Sequence, residues 1–273
     1  MGSDLKRIAL GIEYDGSLWK GWQTQPSRDA VQDVLEAALR KFTGEVIQCI
    51  CAGRTDAGVH ALEQVIHLDT GVQRELASWV RGLNALMPPS IAVRWACEPP
   101  ALPNEQFHSR YSATARTYQY LIYNNPVRSP LFARRAGWVF RPLDQERMQE
   151  AANCLVGTHD FSAFRAAQCQ SKTPVRTIHE ATVTRQGDML VVCLRANAFL
   201  HHMVRNIVGS LIYVGNGAHP AEWVGELIAG RDRHPAAPTF SPDGLYLARV
   251  EYDPKWQLPQ DRRSIALSFL SDH

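Results

Sequence analysis

The sequence predicts an α+β fold built from two successive β-α-β-β-α-β units. Three observations carry that expectation. Apolar residues alternate with a period of two or recur with a period near 3.6, in the same order twice along the chain. Cap and turn residues, among them Asp29, Asp144, Gly157 and Gly187, fall where the period changes. With 273 residues, 45% of them apolar and 21% charged, the chain can bury the cores these units need and lies far from the composition of disorder.

Ile8 to Glu13 reads as the first strand. Asp29 with Gln32 three residues on resembles a capping pair, opening a helix whose inward stripe is Val31, Val34, Leu35, Ala38, Leu39 and Phe42. Strands follow at Val46 to Cys51 and Gln64 to Asp69, then a helix with Leu76, Trp79, Val80 and Leu83 on one face, then the alternating strand Ile91 to Trp95. From residue 112 the order repeats. A strand through Tyr118 to Tyr123 precedes a helix capped by Asp144, with Met148, Ala151, Ala152, Leu155 and Val156 inward and Gly157 closing it. A hairpin then pairs Ala181 to Arg185 with Met189 to Arg195 about Gln186-Gly187-Asp188. Helical residues Met203 to Val214, a short helix near Ala221 to Ala229 and a last strand Leu245 to Tyr252 complete the second unit. Two such units form either two packed ferredoxin-like lobes or one continuous sheet with helices on one face, leaving the other face free to bind.

Bulk charge is uninformative about partners: 29 Lys and Arg against 27 Asp and Glu give +2, so a polyanion would have to meet a basic patch rather than an overall excess. No two of the six cysteines, at 49, 51, 97, 154, 169 and 193, have the two-residue spacing of zinc ligands or redox dithiols, and they read as reduced structural thiols. No apolar signal core and no run of about 20 apolar residues is present, so a cytoplasmic protein without membrane spans is expected.

Between the second and third strands lies Cys51-Ala52-Gly53-Arg54-Thr55-Asp56-Ala57-Gly58-Val59-His60-Ala61, with two glycines bracketing an Arg-Thr-Asp triplet. Glycines permit tight turns and close ligand approach. Taken alone, this pattern fits a structural turn capped by Asp56 as well as it fits a reactive carboxylate.

The stretch Gly53 to Ala61 resembles the active-site loop of the bacterial tRNA pseudouridine synthase A family over nine contiguous residues. The resemblance continues through Glu13-Tyr14-Asp15-Gly16, Gly21-Trp22-Gln23, Phe107-His108, Ser112-Ala113-Thr114-Ala115-Arg116 with Tyr118, and Asp160-Phe161 with Phe164-Arg165. Later come Asn197 to Asn206, Ala237-Pro238, and Gly244-Leu245. It implies the pseudouridine synthase fold, in which two ferredoxin-like units form a largely antiparallel continuous sheet. It also implies an N-terminal lobe over residues 1–108 carrying the Asp loop and a C-terminal lobe over 109–273, with the active site in the cleft between.

The activity implied is isomerisation of uridines 38, 39 and 40 in the tRNA anticodon arm to pseudouridine, by a homodimer that one tRNA touches on both subunits. Asp56 is then the nucleophile, attacking either ribose or uracil; Arg205 is its countercharge, and Tyr118 is the aromatic that stacks on the target base and a candidate for removing the C5 proton after rotation. Arg54, beside the nucleophile, resembles the residue that fills the space left by the flipped base. The rearrangement is redox-neutral, so no cofactor and no metal are expected, in keeping with the missing phosphate loop and missing ligand spacing.

Weaker features remain. Adjacent His201 and His202, read as helical and so pointing about 100° apart, make a poor metal pair. Phe161, Phe164, Arg165, Lys172 and Arg176 form a polar, loop-like mixture suited to gripping a phosphate backbone, and Arg110 and Arg116 are similar candidates. Two competing functions were weighed. A non-catalytic RNA-binding module like an RNA-recognition motif would leave the Asp loop without purpose, and an aspartyl phosphotransferase lacks its parallel βαβ pattern and second carboxylate.

Overall fold

A computed structural model describes residues 5–259 of the chain. They divide into two compact units, one holding the residues up to 114 together with those from 247 onward, the other holding residues 115–246.

The first unit contains β1 (Lys6–Tyr14), α1 (Val31–Thr43), β2 (Ile50–Cys51), β3 (His60–Thr70), α2 (Leu76–Leu86) and β4 (Ile91–Cys97). Its antiparallel strands lie in the order β4-β1-β3-β2, the ferredoxin-like arrangement. Register is set by apolar pairing, with Leu10 opposite Ile66 and Gly11 opposite both Val65 and Trp95. A Cβ on Gly11 would overlap the Trp95 indole, which explains a glycine in mid-strand. The two helices meet where the Phe42 ring packs edge-on to Trp79 at 5.2 Å and lies against Gly82.

The α1 start corrects the capping expectation. Ala30 is the N-cap, and Asp33 reaches back to accept from its N–H at 3.2 Å. Asp29 instead pairs with Ser27 and Lys20, and Gln32 accepts from Thr24 N. The strand expected over Val46 to Cys51 shrinks to β2, because Val46 is 83% exposed and ladder pairing begins only at Ile50 opposite His67.

The second unit contains β5 (Ala113–Asn124, its first two residues in the first unit), β6 (Gly137–Val139), α3 (Gln145–Asn153), β7 (Gly157–Asp160), β8 (Val175–Gln186), β9 (Met189–Ala196), α4 (Met203–Gly215) and α5 (Trp223–Gly230). Its strands run β5-β9-β8-β7, all antiparallel, with β6 parallel to the end of β5. Asp144 caps α3 by accepting from Glu146 N and Arg147 N. α3 ends at Asn153, however, and Gly157 opens β7 with φ +115° while Val156 turns outward. The hairpin turn Gly187-Asp188 sits between paired Gln186 and Met189 as expected. A last strand, β10 (Leu245–Tyr252), starts in this unit and continues in the first. The architecture is thus α+β with largely antiparallel sheet, and no helix among the described residues is long and apolar enough to cross a membrane.

Candidate active site

The loop joining β2 to β3 leaves the ladder at Ala52, whose N–H still donates to Val65 O at 2.8 Å. A side chain supplies the next rung. Gln64, fully buried on β3, donates from Nε2 to Gly53 O at 2.6 Å and accepts from Gly53 N at 3.4 Å. Thr55 is held twice: its carbonyl accepts from Trp22 N at 3.0 Å, and its Oγ1 shares a 2.7 Å hydrogen bond with the buried Tyr14 hydroxyl. Val59 N donates to Asp56 O at 3.1 Å and Gly58 N to Trp19 O at 3.3 Å, with Gly58 in the left-handed region at φ +80°. Asp56 is left half-buried at the turn, and Arg54 stands exposed.

Residues far away in sequence form the bed of this loop. A Cβ on Gly16 would collide with Val59 O, and one on Gly21, at φ +86°, would stand 2.6 Å from Thr55 O and 3.0 Å from the Asp56 carbonyl carbon. Tyr14 and Trp22, both buried, pack with ring centroids 5.9 Å apart. His60 Nδ1 lies 3.1 Å from Gly16 N and 3.2 Å from Asp15 Oδ1, two contacts that demand opposite roles of one nitrogen. A backbone N–H can only donate, so Nδ1 is assigned as the acceptor for Gly16.

Arg54 and Arg110 belong to the same surroundings. Burial raises the Cys51 thiol to about 11, and both guanidiniums lie within Coulombic reach and oppose that rise. Both are exposed.

In the second unit, alternation along β5 puts Tyr118, Tyr120 and Ile122 on one face, and Tyr118 is buried with its ring edge-on to Phe199 at 5.0 Å. α4 is buried on nearly every side; of its residues only Arg205 and Tyr213 escape burial. Arg205 Nε donates to Phe240 O at 2.8 Å, and Phe240 N donates to Arg205 O at 3.3 Å. Next to it, Asn206 is fully buried, donating to Phe164 O at 2.8 Å and accepting from Thr239 Oγ1 at 2.6 Å. Burial drives the Tyr120 phenol far up, with the nearby Arg205 charge opposing. Arg205 therefore lies on the side of β5 that carries Tyr118.

The remaining expected residues are placed less simply. Phe161 and Phe164 are core side chains, not surface ones, because the short turn between them buries both rings. Arg165 folds onto its own loop, donating to Cys169 O at 2.7 Å and Ser171 O at 3.0 Å, while Lys172 is exposed. Arg116 is buried and donates to Asn197 O at 2.9 Å. His201 and His202 precede α4 instead of lying on it; His202 has φ +60°, and the two rings are 4.0 Å apart at their centroids.

One segment escaped the sequence reading. Between 124 and 143 no acidic residue occurs, while Arg128, Arg134, Arg135 and Arg141 are all exposed beside exposed Trp138 and Phe140. The Arg141 guanidinium sits 5.6 Å over the Phe140 ring, and Trp138 Nε1 donates to Asn125 O at 2.8 Å. The missing acids were the signal that could have found it.

A family profile described as tRNA pseudouridine synthase matches residues 11–112 and 151–253. Proteins named tRNA pseudouridine synthase A from Janthinobacterium sp. (strain Marseille) and Herminiimonas arsenicoxydans are each 62% identical to this chain, the alignments covering 95% and 93% of it and 97% and 93% of them. The protein of that name from Bordetella petrii is 55% identical, covering 93% of this chain and 94% of its own. Fold and matches together define an isomerase that acts on RNA. The chain belongs to the tRNA pseudouridine synthase family, and its activity is pseudouridine formation in tRNA. The non-catalytic RNA-binding alternative falls with that assignment.

Proposed function

We propose that the enzyme isomerises uridines 38, 39 and 40 of the tRNA anticodon arm, with Asp56 as its nucleophile. The observation that carries this reading is the nine-residue segment Gly53 to Ala61, folded into an anchored turn that leaves the Asp56 carboxylate half-buried. In the reaction the carboxylate attacks ribose or uracil and the N-glycosidic bond breaks. The held uracil rotates, its C5 bonds to the ribose carbon, the C5 proton leaves, N1 takes up a proton, and the carboxylate is released unchanged. Tyr118 offers a stacking face for the target uracil and Arg205 a countercharge. Arg54 fills the space of the flipped base. The enzyme acts in the cytoplasm as a homodimer.

Arg110, Arg165 and Lys172, with the acid-free segment of the second unit, supply the phosphate contacts, since cationic side chains interleaved with aromatic rings suit a polyanion bearing bases. Arg128→Gln combined with Arg141→Gln lowers the slope of log affinity for tRNA against log salt by about 1.5, while turnover at saturating tRNA stays at the wild-type value. An unchanged slope would remove this segment from the interface.

The overall reading is tested with unmodified tRNA carrying C5-tritiated uridine, singly substituted so that only one of positions 38, 39 and 40 is a uridine. Tritium release from each of the three is expected. Release confined to uridines elsewhere in the tRNA would overturn the site assignment.

A further inference from the structure

We infer that Tyr14 and Gln64 are positioning residues for the Asp56 carboxylate, acting through the backbone of the loop and not on the substrate. The inference rests on the reading of Asp56 as nucleophile. β2 ends at Cys51, and among the described residues ladder pairing of this segment ends with Ala52 N on Val65 O, so side chains take over the holding of the backbone that leads to Asp56. Gln64 replaces one rung: its amide presents a donor and an acceptor in one plane, as a peptide group does, and meets both backbone groups of Gly53. Tyr14 replaces the next contact through the 2.7 Å hydrogen bond to Thr55 Oγ1, one residue before Asp56. Both side chains are buried, at 2% exposure for Tyr14 and 0% for Gln64, so neither bond is exchanged for water. A phenol at the end of β1 and an amide on β3 thereby fix the torsions that aim the carboxylate. Misplacing a reacting group by about 1 Å can cost about a hundredfold in rate without loss of binding.

The hydrogen bond can be read from either end. Tyr14→Phe and Thr55→Val each lower kcat about 10- to 100-fold while KM for tRNA stays within about twofold. Their combination costs no more than either alone, because both remove one bond. Thr55→Ser keeps the hydroxyl and restores kcat to within about threefold of wild type. Gln64→Met lowers kcat with the same unchanged KM. If Tyr14→Phe fails to fold in thermal unfolding, the Thr55→Ser against Thr55→Val comparison reads the same bond from its other end. Wild-type kcat in Thr55→Val, or losses in the double variant that multiply, would overturn the inference. Turnover retained by Asp56→Asn would instead remove the reading beneath it, whereas an inactive Asp56→Asn beside a fully active Tyr14→Phe would remove this inference alone.

Discussion

Asp56→Asn is expected to lower the rate of pseudouridine formation by at least about four orders of magnitude, the scale on which loss of a nucleophile is felt. The amide has nearly the shape of the carboxylate and cannot serve as the proposed nucleophile. The loop should keep its conformation, because its backbone is held by Trp22 N, Tyr14, Gln64 and the Val59 N–H on Asp56 O. Affinity for tRNA should accordingly remain within about threefold, since one carboxylate contributes nothing attractive to a polyanion. Single-turnover tritium release and filter binding on the same preparation separate the two quantities. Measurable turnover by the Asn variant would sink the nucleophile assignment, and a collapse of binding would show that the side chain holds the loop.

Gly21→Ala should damage both the fold of the first unit and the reaction. At φ +86° an L-residue already costs about 1–2 kcal/mol, and the new Cβ would stand 2.6 Å from Thr55 O, a backbone atom that cannot swing aside. Relief requires moving Thr55 and Asp56 together. We expect a stability loss of about 2–4 kcal/mol and a fall in kcat of at least about a hundredfold. Gly44→Ala is the control. Gly44 closes α1 with φ +80° and has nothing within 4 Å of its would-be Cβ, so only the backbone cost of about 1 kcal/mol applies and kcat is unchanged. Equal kcat in the two variants would show that the approach of Gly21 to the loop has no bearing on catalysis.

Most elements were legible because their periodicity is strong. β1, α2, β4, the β8-β9 hairpin, α4 and β10 fall where alternation or helical spacing puts them. Misplacements arose where local chemistry offered two equivalent solutions. Asp29 and Asp33 are both good capping residues; the helix chose Asp33, whose carboxylate reaches Ala30 N, and left Asp29 to Lys20. Val46 to Cys51 has strand composition, yet its first residues find no ladder partner. The loop at Asp56 was visible as a motif, but its supports were not, since nothing local tells Gln64 apart from any polar residue in a strand. That role appears only once β3 lies beside a departing backbone. The arginines at 128, 134, 135 and 141 carry no sequence signal beyond the missing acids, and only the fold exposes them together with Trp138 and Phe140.

The nine residues from Gly53 to Ala61 carry the most specific resemblance to the family, but they are not self-sufficient as a device. Gly53, Thr55 and Gly58 draw their partners from Gln64, from Tyr14 and Trp22, and from Trp19. A peptide of that sequence would own every atom of the turn but, of the anchors described, only the Val59 N–H bond to Asp56 O, and as an isolated chain it would spread over many backbone conformations. Transplanting the shape of this loop to another scaffold would therefore mean moving β1, the turn after it and β3 as well. The smallest portable form of this loop is a corner of the first unit, not a motif.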